Sequence, residues 1–189
     1  MNGCNFRVSP QAFFQVNTPC AEILYSLVVE ALQGSPPGST ADCAGETASD
    51  TTHPAQGVLC LDVCCGTGTI GICCAKANLG VVVGVELCQA AVDDAHLNAG
   101  LNGMRLLQSG SGNATDEAQT LSKETAGLAF VCSRAEAVLG SILSDRAVTS
   151  QGANQMLRDV TILARGKKVL AVVDPPREVS VDCCVLYND

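Results

Sequence analysis

Acidic side chains stand at the ends of three short apolar segments, and a glycine-rich turn follows the first of them. Asp62 ends the first segment and precedes a turn that contains Gly66 and Gly68. Glu86 ends the second segment, and Asp174 ends a later one. Glycines let the backbone turn tightly close to a ligand, and a helix N-terminus after them offers N–H groups to it. A carboxylate at the next strand's end can accept hydrogen bonds from both ribose hydroxyls, so the pattern predicts a nucleoside site.

Two ligands that contain a nucleoside fit such a turn. The structural alternative is that the glycines only allow the strand, turn and helix to pack. Residues 66–71 match the G-x-G-x-x-G spacing of NAD-binding proteins, so an NAD-dependent oxidoreductase stays open. Asp62, however, would repel a pyrophosphate, and a dinucleotide site does not require the Asp-Pro-Pro-Arg of residues 174–177. An acid suits a cationic ligand better, either by direct contact or through the loop that it anchors. S-adenosylmethionine carries a sulfonium and an ammonium group.

These residues need elements that bring them together, and the hydropathy pattern predicts such elements. Strands are predicted over 58–63, 81–86, 128–133 and 168–174. Helices are predicted from residue 69, over 88–99 with Gly100 as the end, around 135–142, and around 156–163 before Gly166. This alternation predicts an α/β fold with a parallel sheet of about four strands. Right-handed crossovers put the carboxyl ends of the strands, and with them the three acids, at one edge.

An additional helix is predicted near the start of the chain. The helix is predicted within residues 17–33, with Thr18 as its cap and Pro19 at its first helical position. Its predicted apolar stripe consists of Ile23, Leu24, Leu27, Val28 and Ala31. Residues 6–17 before it contain two adjacent Phe, an amide and an Asn, and by residue type alone they form a packed N-terminal arm.

Composition narrows the class of protein. The 189 residues contain 11 Lys+Arg and 19 Asp+Glu, which gives a net charge of −8. This charge argues against nucleic-acid binding by this stretch alone. Most of the 12 cysteines lie in or beside apolar segments and no two have C-x-x-C spacing, which favours a reducing, intracellular compartment and no metal site. No signal peptide or membrane span is predicted, and placement in the cytoplasm or nucleus is expected.

Two segments of low complexity interrupt the pattern. Residues 34–57 and 108–126 are rich in small and polar residues without periodicity, and both are predicted to be flexible insertions. The predicted boundaries are therefore 1–33 for the arm and first helix, 58–177 for the ligand-binding domain, and 178–189 for a divergent tail.

Four motifs in a fixed order resemble those of the RNA uracil-5-methyltransferases, most closely the eukaryotic tRNA members. They are F-R-V-S-P-x-A-F-F-Q-V-N-T, D-V-C-C-G-T-G-T-I-G, G-V-E-L-C-x-x-A-V-x-D-A-x-x-N and D-P-P-R. The resemblance covers most of the chain outside the insertions, residues 144–166 and the tail. It implies a Rossmann-like class I methyltransferase domain, here incomplete, with S-adenosylmethionine as cofactor, tRNA as partner and 5-methyluridine as product. It also implies the following cofactor-binding residues: Gln15, Cys64, Gly66, Thr69, Glu86 and Asp174.

The catalytic part of the family pattern is not found in this sequence. In the family a cysteine thiolate adds to uracil C6, C5 accepts the methyl group, and a glutamate base removes the C5 proton. That cysteine lies in an S-C-N-P motif beyond D-P-P, and this chain has residues 178–189 there instead. We therefore expect a C-terminally truncated chain, inactive by itself, whose fourth strand lacks its outer neighbour. A non-catalytic module that binds S-adenosylmethionine or a protein is the alternative.

Overall fold

A computed structural model describes residues 1–10, 12–33, 57–107, 126–143, 155–175 and 184–187, with the backbone alone described at 143, 155–157 and 184–187. Nearly all of the two predicted insertions lies outside these ranges, as does the predicted tail except for 184–187.

The described residues form five helices and five strands. The helices are α1 (Thr18–Leu32), α2 (Thr69–Lys76), α3 (Gln89–Leu101), α4 (Ala135–Leu143) and α5 (Gln155–Ala164). The strands are β1 (Val58–Val63), β2 (Val81–Glu86), β3 (Gly127–Cys132), β4 (Lys168–Val173) and β5 (Cys184–Tyr187). The sheet order is β3-β2-β1-β4-β5, and β1 to β4 run parallel. The predicted α/β, Rossmann-like fold with four parallel strands is confirmed.

The parallel strands are apolar throughout because helices cover both faces of the sheet. In β1, Cys60 faces a core formed with α1, α2 and α3. Its neighbours Leu59 and Leu61 face a second core formed with α4 and α5. Both leucines are fully buried, and each such side chain contributes about 1.5–3 kcal/mol of transfer free energy. Because both faces of the strands are buried, the register of the strands is fixed. The three acids at the strand ends, Asp62, Glu86 and Asp174, therefore lie at one edge of the sheet.

Strand β5 is an addition to the predicted sheet. It pairs antiparallel with β4, from Val173 opposite Cys184 to Leu170 opposite Tyr187. The expectation that β4 has no outer neighbour is therefore wrong. Residues 184–187 read Cys-Val-Leu-Tyr, a composition that favours strands. A segment of four residues is too short for periodicity to distinguish a strand from a coil.

Helix α1 begins one residue earlier than its predicted cap implies. Asn17 is the N-cap, and its side chain accepts a hydrogen bond from the N–H of Cys20 over 3.3 Å. Thr18 is the first helical residue, and Pro19 follows it in the first turn. Asparagine ranks above threonine as an N-cap, which agrees with this choice.

The predicted apolar stripe of α1 is correct at Val28 and wrong at Ile23, Leu24 and Leu27, which are exposed. The buried residues are Ala21, Tyr25, Val28 and Leu32, whereas Ile23 is 63% exposed and Leu27 is 42% exposed. Two apolar stripes with helical spacing run along this helix, and the one that contains Tyr25 packs against the core.

Helix α3 continues past its predicted end. Gly100 lies inside the helix, which runs to Leu101. Asn102 is the C-cap, and Gly103 adopts the left-handed conformation that ends many helices, with φ +64°. Among the described residues, no helix combines the length and the apolar character needed to cross a membrane.

Candidate functional site

A cavity of about 540 Å³ opens at the carboxyl ends of β1, β2 and β4. Chain order reverses here, because β2 and β4 lie on opposite sides of β1, and ligands of α/β sheets bind at such switch points. All six residues that the resemblance assigns to the cofactor line this cavity: Gln15, Cys64, Gly66, Thr69, Glu86 and Asp174. They come from the segment before α1, from the β1–α2 turn, and from the ends of β2 and β4. The fold thus brings the whole predicted set together.

The glycine-rich turn has little room for side chains beneath it. Gly68 adopts φ +80°, and a Cβ there would lie 2.8 Å from the Phe130 ring. A Cβ on Gly84 of β2 would lie 2.5 Å from the same ring. Phe130 is 1% exposed, so it cannot move aside easily. Glycine at both positions lets the turn lie close to the sheet.

Asp62 anchors the start of α2. It is fully buried, and its Oδ2 accepts a hydrogen bond from the N–H of Gly71 over 2.7 Å. Burial raises the pKa of Asp62 to about 7, and the carboxylates of Asp174 and Glu86 add to that rise while the hydrogen bond opposes it. Asp62 is not among the cavity-lining residues. Of the two roles predicted for this acid, the structure therefore shows the indirect one, through the loop that it anchors.

Glu86 ties the same turn to the end of β2. Its Oε2 accepts from the N–H of Gly66 over 3.0 Å. Its Oε1 accepts from the N–H groups of Leu87 over 2.8 Å and of Cys88 over 3.0 Å. Three backbone donors thus orient the carboxylate without help from a ligand. Each carboxylate oxygen has about two acceptor sites, so Oε2 keeps capacity for a ligand hydroxyl.

The three glycines of the G-x-G-x-x-G pattern have their N–H groups engaged within the protein. Gly66 donates to Glu86, and Gly71 donates to Asp62. Gly68 donates to the carbonyl of Cys65 over 2.9 Å. These donors are therefore committed to internal acceptors instead of a phosphate, which weighs against a dinucleotide.

The cavity has an acidic character. Of the described residues that line it, Glu86 and Asp174 are acidic and none is basic. Burial raises the pKa of the Asp174 carboxyl. Burial and then the carboxylate of Glu86 raise the pKa of the Cys64 thiol, and burial holds that of Cys65 well above its usual value. A cationic ligand suits this lining, and neither thiol is activated as a nucleophile.

Tyr25 is a cavity residue that the sequence analysis did not identify. It is 3% exposed. Burial raises the pKa of its hydroxyl, and the Thr69 side chain lowers that pKa in part. Tyr25 lies four residues after Ala21 and three before Val28, and this helical spacing was the sequence signal that could have placed it on the buried face of α1. The other lining residues outside the predicted set are Ala12, Phe13, Phe14, Cys65, Thr67, Ile70, Cys88, Ala91 and Pro175.

Within the part of the chain that the structure describes, no three His, Cys, Asp or Glu side chains are grouped so that they could hold a metal ion.

The fold and this cavity define a Rossmann-like α/β domain with a candidate nucleoside site at the switch point of its sheet. The chain is 35% identical over 175 residues to tRNA (uracil-5-)-methyltransferase homolog A of Mus musculus, which covers 93% of this chain and 19% of that protein. It is 41% identical over 119 residues to homolog A of Homo sapiens, covering 63% and 16%. It is 43% identical over 100 residues to homolog B of Danio rerio, covering 53% and 16%. The chain is thus a sequence relative of the tRNA (uracil-5-)-methyltransferases, as its motifs predict.

Two further comparisons complete this result. No protein-family model matches the chain. The solved structure of a Pyrococcus abyssi tRNA (uracil-54, C5)-methyltransferase in complex with S-adenosyl-L-homocysteine matches at 20% identity and a TM-score of 0.42. That match covers 89% of this chain and 32% of the other. The chain spans less than a fifth of the length of the sequence relatives named above.

Proposed function

We propose that this chain provides the S-adenosylmethionine site of a tRNA uracil-5-methyltransferase. The cofactor supplies an electrophilic methyl group, and the proposed acceptor is C5 of a uridine in tRNA. The convergence of all six predicted cofactor residues on one acidic cavity carries the proposal. The names of the relatives support the reaction and the tRNA partner. Action in the cytoplasm or nucleus belongs to the same proposal.

The chain's own residues have distinct tasks in this proposal. Glu86, already oriented by three backbone N–H groups, accepts hydrogen bonds from ribose hydroxyls. Asp174, half-buried at the end of β4, attracts the positive charge of the ligand. Gln15 and Thr69 add polar atoms, and Ile70 belongs to the apolar part of the lining. The cysteine nucleophile and the base of the family reaction are not assigned to any residue of this chain.

Calorimetric titration of the 189-residue chain with S-adenosylhomocysteine tests the site. We expect binding, and we expect Glu86→Ala to weaken it about tenfold or more, because hydrogen bonds to a charged group contribute about 1.5–3 kcal/mol. Glu136→Ala is the matched control, since Glu136 lies on α4, is 71% exposed and does not line the cavity. Circular dichroism of each variant shows whether it is folded. Absence of binding by the folded wild-type chain would refute the proposal.

Two further titrations separate the alternatives. NAD is expected not to bind, because the glycine N–H groups are engaged and the lining is acidic. NAD binding without S-adenosylhomocysteine binding would instead support an oxidoreductase. Incubation with methyl-labelled S-adenosylmethionine and tRNA then distinguishes an enzyme from a binding module. Labelled 5-methyluridine would exclude the non-catalytic module and would place the nucleophile within this chain.

A further inference from the structure

One polar face of α3 holds residues 1–10, which are the beginning of the predicted N-terminal arm and are the part that we now call the arm. The three side chains that do so are spaced by four. Asp94 accepts from the Ser9 hydroxyl, Asn98 pairs with the backbone of Arg7, and Asn102 pairs with the backbone of Asn5. Four helical residues rise about 6 Å, and two residues of extended chain span about 6.6 Å. The repeats match, so the arm runs antiparallel to α3, with one bond to Asp94 and a pair of bonds to each of Asn98 and Asn102.

Asn98 differs from its neighbours because it also reaches the glycine-rich turn. Its Oδ1 accepts from Arg7 N over 2.7 Å, and its Nδ2 donates to Arg7 O over 3.1 Å. The same Nδ2 donates to the carbonyl of Thr67 over 3.0 Å. Asn102 makes its second Nδ2 bond within α3, to Asn98 O over 2.7 Å. The Asn98 amide therefore joins two segments that Asn102 does not join.

The carbonyl of Thr67 depends on this amide. In a longer α2, it would accept from the N–H four residues later, which belongs to Gly71. Asp62 takes that N–H. Thr67 is 3% exposed and Asn98 is fully buried, so the bond between them is shielded from water and is costly to lose. One helical hydrogen bond, from Gly71 N–H to the Thr67 carbonyl, is therefore replaced by two others. Asp62 accepts from the N–H, and Asn98 donates to the carbonyl.

The two segments that Asn98 joins lead to two separate parts of the cavity lining. The arm continues into residues 12–15, all of which line the cavity. Thr67 lies in the turn that contributes Gly66 and Thr69 to the lining.

We propose that Asn98 is a positioning residue that couples docking of the arm to the geometry of the glycine-rich turn, so that arm docking and occupation of the cavity stabilise each other. A ligand that needs both walls in place must favour the docked arm by the same factor by which docking favours the ligand. For the identity of that ligand the inference rests on the proposed function.

Hydrogen exchange and calorimetry of Asn98→Ala, with Asn102→Ala as the matched control, test this coupling. In the wild-type chain, S-adenosylhomocysteine should slow exchange of the arm amides, including Arg7 N. In Asn98→Ala that ligand-dependent slowing should disappear and affinity should fall at least about fivefold, the lower end of typical coupling between sites. Asn102→Ala should keep most of both, because the bond from Asn98 to Thr67 is intact in that variant. If Asn98 had only a structural role, Asn98→Ala would lower the unfolding temperature of the chain and leave the ligand-dependent slowing of exchange unchanged.

A second variant covers the case in which Asn98→Ala does not fold. Arg7→Pro removes the N–H that Asn98 accepts and leaves the buried amide and its Thr67 bond in place. It should also lose the ligand-dependent slowing in the rest of the arm. A folded Asn98→Ala or Arg7→Pro chain with unchanged slowing and affinity would overturn the inference. Failure of the wild-type chain to bind S-adenosylhomocysteine would instead refute the proposed function. The coupling would then be tested without ligand, as a joint rise in arm and turn exchange in Asn98→Ala.

Discussion

Gly71 donates its backbone N–H to the buried carboxylate of Asp62 over 2.7 Å. Among the described residues the other oxygen, Oδ1, has no hydrogen-bond partner. Burial without full hydrogen bonding disfavours the charged form and raises the pKa of Asp62 to about 7. The residue that anchors the glycine-rich turn is therefore sensitive to pH near neutrality.

Asp62→Asn should remove one pH dependence of stability. The folded-state pKa lies above that of the unfolded chain, about 3.9, so the folded state binds the extra proton between these values. The stabilisation that this group contributes is complete below about pH 4. It decreases as the pH rises to about 7 and is lost at higher pH. A pKa difference of this size corresponds to on the order of 4 kcal/mol. Asparagine keeps an acceptor for Gly71 and does not titrate.

Urea denaturation from about pH 4 to about pH 8 checks this prediction. The variant should gain stability relative to the wild-type chain as pH rises through that range. Glu136→Gln is the control, since that exposed side chain lies outside the site and should leave the slope near pH 7 unchanged. Equal slopes in the wild-type chain and in Asp62→Asn would contradict a buried, proton-binding Asp62.

Gly84→Ala should destabilise the protein by about 1–3 kcal/mol, because its Cβ would overlap the buried Phe130 ring in a packed core. Gly100→Ala is the matched control. It has open space around its Cβ position and lies inside α3, so it should stabilise by about 0.5–1 kcal/mol. Chemical denaturation of both variants measures the two free energies of unfolding. Gly84→Ala combined with Phe130→Leu should recover part of the loss, and full additivity would show that the ring is not the obstacle.

The strands and the site were accessible from sequence because local pattern and topology agree there. Val58–Val63 and Val81–Glu86 are short, apolar and bounded by a turn or an acid, and parallel topology then brings Glu86 and Asp174 to one edge. Pattern and topology thus assigned the ends of β1, β2 and β4 to one site, whereas Gln15 of the segment before α1 was assigned by the family resemblance alone.

What the sequence did not reveal depends on contacts between distant parts of the chain. Helix α1 has two apolar stripes, and only tertiary packing selects the one with Tyr25 over the one with Ile23. Strand β5 has four residues and takes its order from pairing with β4. Asn98 reads as an ordinary helical residue, and its partner Arg7 is 91 positions away.

Asn17→Ala should cost about 1 kcal/mol of stability, because it removes the side chain that caps α1. Thr18→Ala is the control, and as the first helical residue it should change stability by less than about 0.5 kcal/mol. Thermal unfolding of the two variants distinguishes the observed cap from the one that the sequence predicts. A larger loss for Thr18→Ala would contradict the assignment of Asn17.

Alkylation of Cys88 should depend on occupation of the cavity. Cys88 and Cys20 are both exposed, yet only Cys88 is among the cavity-lining residues. With S-adenosylhomocysteine at ten times its dissociation constant, about one chain in eleven is unoccupied, so iodoacetamide should modify Cys88 about tenfold more slowly. Cys20 should react at an unchanged rate. Cys60 and Cys74 are fully buried and should stay unmodified in the folded chain.

Mass spectrometry of the separate peptides reads each thiol individually. Equal slowing of Cys88 and Cys20 would indicate that the ligand acts on the whole molecule and not at this cavity. Unchanged labelling of Cys88 under conditions where calorimetry shows binding would place the ligand elsewhere. Selective protection of Cys88, lost in Glu86→Ala at the same ligand concentration, would connect the bound ligand to the end of β2, where Glu86 and Cys88 share a hydrogen bond of 3.0 Å.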